Sequence, residues 1–288
     1  MVALLHQQED YPVAVLCELL GLSRSTYYYQ VREADDPSLR AAMETIAAEF
    51  PTYGSRRITA QLRRAPYHLV ANRKRVQRLM RQMGLQRRAK RQRRRTTDSQ
   101  HPYPRYPNLV TGLDVTYPDQ VWVSDITYVR LHSEFIYLAV IMDVFTRVMR
   151  GWHLHRWLDQ ELPLTALRRA LATHVPTIHH SDQGVQYAAM AYTELLHQHH
   201  IQISMADAGE AWQNGYAERL IRTVKEEEVD LSEYEDFADA YTQIGHFIEQ
   251  VYQRKRIHSA LGYLTPVEFE TAWQQQQQKT VASSLIPV

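Results

Sequence analysis

Beyond residue 120 the pattern of apolar residues alternates between strand-like and helical segments. Few folds have these segments in the order found here. Three strand-like segments come first, and a helical pattern follows them. Two further strand and helix pairs complete the series. The predicted strands are 121–129, 135–145, 148–155, 176–180 and 201–205, and the predicted helices are 162–172, 187–199 and one that begins near Tyr216. We therefore expect a mixed five-stranded sheet with flanking helices, antiparallel at its hairpin strands and parallel at the later ones.

This order of elements is that of a ribonuclease-H-like α/β fold, and the sequence places α-helices in front of it. In the first 30 residues, two short helical patterns meet at Gly21, and Ser23 can cap the second helix. A longer pair follows, in which Asn72 can cap a helix that Gly84 ends. Both pairs are typical of a helix-turn-helix, with a plain helical hairpin as the alternative for the first pair.

The charge of the chain is distributed unevenly, although the net charge is only +1. Residues 1–105 contain 20 Lys and Arg against 9 Asp and Glu, whereas the remaining residues contain 13 against 23. A basic front half and an acidic rear half predict polyanion binding by the first and metal binding by the second.

The basic residues concentrate on one helix and on the arm that follows it. Lys74, Arg78 and Arg81 share a helix face, and this helix leads directly into the string RRAKRQRRR. A solvated surface is the ordinary explanation of such a face, but the density of the arm favours double-stranded DNA as a partner. Contacts to phosphates would make the affinity fall steeply with salt. The candidate DNA-binding residues are Arg56, Arg57, Lys74, Arg78, Arg81, Arg87, Arg88, Lys90, Arg91, Arg93, Arg94 and Arg95.

Three acidic residues in separate elements are candidates for one metal site. Asp125 lies in the strand pattern WVSDITYV on the predicted inward face, where an unpaired carboxylate costs several kcal/mol. A strand-end aspartate that is hydrogen-bonded to backbone amides is its alternative role. Asp182 follows a short strand, at the end where ligands gather in open α/β sheets, and a helix N-cap is its alternative role. Glu218 lies on an amphipathic helix, where an i,i+4 pair with Arg222 is the alternative.

Carboxylates from separated elements can hold two hard divalent cations, which is the arrangement that phosphodiester chemistry requires. Lys225 lies two helical turns after Glu218 and could contact a DNA phosphate beside such metals, as could Arg222. Competing carboxylates follow directly in the charge run from Glu226 to Glu228.

Five strings carry a resemblance to a known family: WVSDITYV, FIYLAVIMDVFTRVMRGW, HHSDQGVQY, NGYAERLIRTVKEEEVDL and YQRKRIHSALGYLTPVEF. In this order they resemble the OrfB catalytic product of the third insertion-sequence family, transposases that are relatives of retroviral integrases. YGSRRI resembles the helix-turn-helix ahead of that core. The 35 residues between Asp182 and Glu218 equal the spacing of the family, and Lys225 follows Glu218 at the family's distance.

The resemblance implies a DDE polynucleotidyl transferase that cleaves and transfers DNA strands during transposition. It maps the catalytic and metal-binding triad onto Asp125, Asp182 and Glu218, with two Mg²⁺ or Mn²⁺ ions as cofactors. It also implies transposon ends and target DNA as substrates, a homo-oligomer on DNA, and an upstream OrfA-type partner. One departure is Gln213, where many relatives carry Asp. Asp143 also recurs in the family, but its apolar neighbours favour a structural role.

The remaining composition limits the alternatives. The chain lacks an apolar stretch long enough for a membrane span and lacks a signal-peptide pattern, so we expect a cytoplasmic, nucleoid-associated protein without a membrane partner. The single Cys17 excludes the His/Cys zinc domain of a retroviral integrase. A DNA-binding regulator or helper of transposition without its own catalysis is the main alternative, and a ribonuclease H acting on hybrids is another.

These patterns together predict an organisation in five parts. They are a helix-turn-helix-like hairpin at 1–30, a second helix-turn-helix-like DNA-binding domain with a basic arm at 40–95, a proline-punctuated linker at 96–119, a ribonuclease-H-like catalytic core with C-terminal helices at 120–272, and a frayed glutamine-rich tail at 273–288.

Overall fold

The structure is a computed structural model that describes residues 12–28, 36–85, 104–132 and 134–284. It divides into two compact units, residues 1–41 and 42–288. This division differs from the five predicted parts, because the second helical segment shares a unit with the sheet.

Two short helices of the first unit form a hairpin. α1 (Val13–Leu19) buries Leu16 and Cys17, and Tyr27 of α2 (Arg24–Tyr27) packs against them. Gly21 between the helices has φ of 61°, the left-handed conformation that glycine adopts at low cost. The hydroxyl of Ser23 accepts a hydrogen bond from Thr26 N at 3.2 Å, so the predicted cap is present.

The second unit begins within α3 (Pro37–Glu49) and continues with α4 (Ser55–Leu62) and α5 (Arg73–Gln82). The side chain of Asn72 accepts from Lys74 N at 2.8 Å and caps α5 as the sequence predicts. The apolar face of α5 is buried through Val76, Leu79 and Met80. The hydroxyl of Tyr53 accepts from Ile257 N at 2.9 Å, so these helices pack directly on the C-terminal part of the same unit.

The sheet contains five strands in the order β3-β2-β1-β4-β5. β1 pairs antiparallel with β2, and β2 pairs antiparallel with β3, whereas β1 and β4, and β4 and β5, are parallel. The strands are β1 (Val121–Arg130), β2 (Phe135–Asp143), β3 (Met149–His155), β4 (Ile178–Ser181) and β5 (Gln202–Met205). The predicted ribonuclease-H-like mixed sheet is therefore confirmed.

Helices cover both faces of the sheet, as expected when neither face can be left in water. One face packs against α6 (Glu161–Leu171), α7 (Val185–Ala188) and α8 (Met190–Gln198). The other face packs against α9 (Gly215–Val224) and α10 (Phe237–His246), where Val121 and Val123 contribute to the core. Because side chains alternate along β1, Asp125 belongs to the α9 face.

Two predicted loose segments are ordered. Between residues 104 and 119, Leu109, Val110 and Val115 pack against the core on the α9 side, so this part is not a free linker. Where the sequence predicted a frayed tail from residue 273, the structure has α11 (Pro266–Ser284) as far as residue 284. Glutamine is a good helix former, and Phe269 and Trp273, one turn apart, both contact Phe145. Within the described ranges, no helix has the length and apolar character to cross a membrane.

Candidate active site

Strand register brings Asp125 and Asp182 to matching positions. The parallel pairing of β1 with β4 ends at Val123 and His180, and Asp125 and Asp182 each lie two residues further along their own chain segment. Both side chains are half-buried. They also lie near the same buried phenol. Burial raises the pKa of Tyr187 well above its ordinary value, and Tyr192, Asp125 and Asp182 raise it further. The two carboxylates therefore share one end of the sheet.

Local hydrogen bonds orient both carboxylates. Asp125 Oδ1 accepts from Ile126 N at 2.8 Å. Asp182 Oδ1 accepts from Gly184 N at 3.0 Å, in the turn that starts α7. The alternative role of Asp182 as a helix-start residue is thus partly realised, and it is compatible with ligand binding because a carboxylate has two oxygen atoms.

Glu218 is positioned by the start of α9. Asn214, the residue before α9, is fully buried, and its Nδ2 donates to the carbonyl of Ser124 at 3.0 Å. This bond ties the helix start to the residue directly before Asp125. Glu218 follows Asn214 by one helical turn and is half-buried, so it lies on the side of α9 that Asn214 directs toward this end of β1.

The carboxylates fit a hard divalent metal by their chemistry, although they do not form a closed cage. Asp125 and Asp182 offer neighbouring oxygen ligands of the kind that Mg²⁺ and Mn²⁺ prefer. Beside them, the buried Asn214 Oδ1 accepts no hydrogen bond from the described residues, so it could face a hydrated cation. However, no three His, Cys, Asp or Glu side chains in the described part of the chain are grouped closely enough to hold a metal ion. Strand register brings the two aspartates to one end of the sheet, and in the described residues they form no closed three-carboxylate group with Glu218.

Two residues of β4 just before Asp182 are buried histidines. His179 Nε2 lies 3.0 Å from the hydroxyl of Tyr192, and His180 Nδ1 lies 2.8 Å from Ser204 Oγ. Burial lowers the pKa of His179 to about 3 and that of His180 to about 4, so both rings are neutral near pH 7. Neither ring was predicted from the sequence to have a role. The HHSD string was the available signal, because two polar rings in a short strand need buried partners.

Arg222 and Lys225 follow Glu218 along the chain, Arg222 on α9 and Lys225 directly after it. Lys225 starts a π-helical turn (Lys225–Val229) that continues α9, and π-helical turns are frequent at functional sites. Its Nζ lies 4.2 Å from the centre of the Tyr128 ring, and Tyr128 follows Asp125 by three residues on β1. Arg222 is exposed. Both basic side chains therefore lie on, or directly after, the helix that contains Glu218.

Two of the competing glutamates are engaged elsewhere. Glu227 accepts from Arg256 Nε at 2.6 Å and from Arg256 Nη2 at 2.7 Å, and both side chains are buried. Glu228 accepts from Ser232 and Tyr234 at 3.1 and 3.2 Å. These structural bonds set Glu227 and Glu228 apart from the proposed site.

Asp143 has the structural role that its apolar neighbours predicted. Its carboxylate is fully buried and accepts from Asp119 N at 3.0 Å, from Thr146 N at 2.8 Å and from Thr146 Oγ1 at 2.5 Å. These bonds close the turn between β2 and β3.

The predicted DNA-binding residues divide into three groups. Arg56, Lys74, Arg78 and Arg81 are exposed, as a DNA contact requires. Arg57 differs from the prediction: its guanidinium lies 3.6 Å from the carboxylate of Glu227 and 5.3 Å from the centre of the Tyr53 ring. Its charge is thus directed into the protein. The rest of the set falls outside the described residues, namely Arg87, Arg88, Lys90, Arg91, Arg93, Arg94 and Arg95.

Comparisons with known proteins agree with this geometry. A model of the integrase core domain matches residues 115–211, a second integrase core model matches residues 199–266, and an HTH-like domain model matches residues 33–95. The IS600 31 kDa protein of Shigella sonnei is 34% identical, over 90% of this chain and 99% of its own length. The IS904 transposase of Lactococcus lactis is 33% identical over 76% of this chain and 87% of its own. Transposase InsF of IS3A from Escherichia coli K12 is 28% identical over 91% and 95%.

The sheet order, the paired aspartates and the integrase core matches define a polynucleotidyl transferase of the ribonuclease-H-like class. Within that class, the chain belongs to the IS3-type insertion-sequence transposases, as an OrfB-type DDE transposase. The family predicted from the five strings is therefore confirmed.

Proposed function

We propose that Asp125, Asp182 and Glu218 together hold two Mg²⁺ or Mn²⁺ ions and are the catalytic residues of DNA cleavage and strand transfer. The observation that carries this proposal is the register of β1 and β4, which sets Asp125 beside Asp182. Glu218 would complete the set by a side-chain adjustment toward Asp125 when metal and DNA bind, since the bond from Asn214 to Ser124 anchors the start of α9 beside Asp125.

Each residue has a separate task in this proposal. The aspartates supply oxygen ligands from β1 and from the turn directly after β4, where neutral His179 and His180 add no competing positive charge. Glu218 supplies the third carboxylate, and Lys225 contacts a phosphate beside it. When bound, the metal ions would activate the attacking water or 3′-hydroxyl and stabilise the leaving 3′-oxygen.

The DNA partners follow from the exposed charges. We propose that Arg56, Lys74, Arg78 and Arg81 contact the phosphates of transposon ends, together with the basic arm from Arg87 to Arg95. Two ends must be handled in one reaction, so the working form is a homo-oligomer on DNA. An OrfA-type protein is the proposed further partner for recognising the ends.

The test is nicking and strand transfer on labelled DNA that carries the ends of the element, with Mg²⁺ or Mn²⁺. Glu218→Gln should lose activity and keep DNA binding, because it removes the charge of one ligand and almost no volume. Glu194→Gln is the matched control, since Glu194 is an exposed glutamate on α8. Equal activity of wild type and Glu218→Gln would refute the assignment, and inactivity of both would favour a regulator or a missing partner.

A further inference from the structure

A pocket of about 690 Å³ opens beside the proposed carboxylates. Its floor includes Val121 and Val123 of β1, and Val123 precedes Asp125 by two residues on the same face of the sheet. One wall is the beginning of α9, where Gly215 and Tyr216 line the pocket just before Glu218. The pocket therefore adjoins the place where the scissile phosphate would bind.

The rim of the pocket exposes two large aromatic rings. Trp212 is 67% exposed and Tyr216 is 50% exposed, which is unusual for rings of this size. The guanidinium carbon of Arg147 lies 4.2 Å from the centre of the Tyr216 ring, so cation and ring are stacked at the entrance. Aromatic and guanidinium faces side by side form the surface on which nucleobases stack.

The other residues that line the pocket combine polar and apolar groups, which suits a nucleobase better than a purely aliphatic ligand. Asp114 lines the pocket and can accept from an exocyclic amino group or a ring N–H. Arg219, exposed on α9, can neutralise the phosphate that accompanies the base. The floor is apolar through Val121, Val123 and Leu261, as the inner face of a base requires.

We propose that this pocket receives one unpaired base of the DNA substrate, next to the phosphate that is cut. The proposal rests on the proposed function, since it adds a base-binding subsite to the same active site. A base within a duplex cannot reach such a pocket, so it must leave the stack, and the pocket repays part of the unstacking cost. Trp212 and Tyr216 are then the residues that select a distorted DNA end.

The test is a thermodynamic cycle on DNA binding, which does not depend on cleavage. Binding of end DNA is measured for the Glu218→Gln protein with and without Trp212→Ala. The DNA is either intact or lacks one base at each successive position around the cut. We expect Trp212→Ala to weaken binding of intact DNA by about 5- to 150-fold, the range for the loss of one stacked base. At a single position, removal of the base should abolish that difference.

Trp157→Ala is the matched control, because Trp157 is also 67% exposed and lies outside the pocket. It should leave binding of every substrate unchanged. The pocket assignment is overturned if Trp212→Ala has no effect or if its effect is the same on all substrates. A change in oligomeric state with Trp212→Ala, without dependence on any base, would instead identify a second copy as the occupant. Cleavage by the wild type, measured in parallel, reports separately on the proposed function.

Discussion

Asp125 and Asp182 stand at matching positions of two neighbouring parallel segments, each two residues beyond the paired Val123 and His180. Two like charges at one sheet end repel each other, and a bound divalent cation would remove that repulsion. The arrangement is long-range: β2, β3, α6 and β4 all lie between the two aspartates in the sequence. Asp125 lies within β1 and Asp182 directly follows β4, so the end of the sheet positions both carboxylates.

A first prediction concerns the buried ion pair between Glu227 and Arg256. Arg256→Met should reduce the free energy of unfolding by about 3–5 kcal/mol, because it leaves Glu227 buried beside Arg57 without its two hydrogen bonds. Arg168→Met, which breaks an exposed pair with Glu161, should cost no more than about 1 kcal/mol. Urea unfolding at pH 7 measures both. Equally small losses of unfolding free energy in the two variants would show that the buried Glu227–Arg256 pair stabilises the fold no more than an exposed pair does.

A second prediction concerns His258 and acid. Burial, together with the positive charges of Arg256, Arg57, Arg147 and Arg219, lowers the pKa of His258 to about 2. In the unfolded chain the His258 imidazole becomes protonated near pH 6.5, whereas in the folded chain it stays neutral. The free energy of unfolding therefore falls as the pH drops from about 6.5. This histidine contributes up to about 1.4 kcal/mol per pH unit to that slope.

The matching experiment compares urea unfolding of wild type and His258→Gln between pH 7 and pH 4. The variant should show a smaller loss of stability on acidification, whatever its stability at pH 7. An unchanged slope would mean that His258 becomes protonated in the folded protein as readily as in the unfolded chain.

Sequence patterns predicted local features well and partners distant in the chain poorly. The caps at Ser23 and Asn72 are present because they depend on residues two or three positions away. Arg57 was predicted to contact DNA from its local sequence alone. Its partner Glu227 lies far along the chain, so this contact could not be predicted from a local pattern. The register of the two aspartates could not be read from either strand alone, since it is set by the whole sheet.

A third prediction concerns the exposed face of α5. Arg78→Gln should weaken DNA binding and lower the slope of log affinity against log salt by about 0.9, as expected for the loss of one phosphate contact. Fluorescence anisotropy over a range of salt concentrations measures this. Gln77→Ala, an exposed neutral change on the same helix, is the control. An unchanged salt slope in Arg78→Gln would exclude this face from the DNA interface.

The central claim, that the three carboxylates are metal ligands, is tested most directly by exchanging each carboxylate for a thiol. Asp125→Cys, Asp182→Cys and Glu218→Cys are assayed for cleavage of end DNA with Mg²⁺ and with Mn²⁺. A thiolate is a poor ligand for Mg²⁺ and a better one for Mn²⁺. We predict that each variant is inactive with Mg²⁺ and recovers by at least about tenfold with Mn²⁺, whereas the wild type changes little. Full activity of Glu218→Cys with Mg²⁺, or recovery of the two aspartate variants without recovery at position 218, would contradict the assignment of Glu218 as the third ligand.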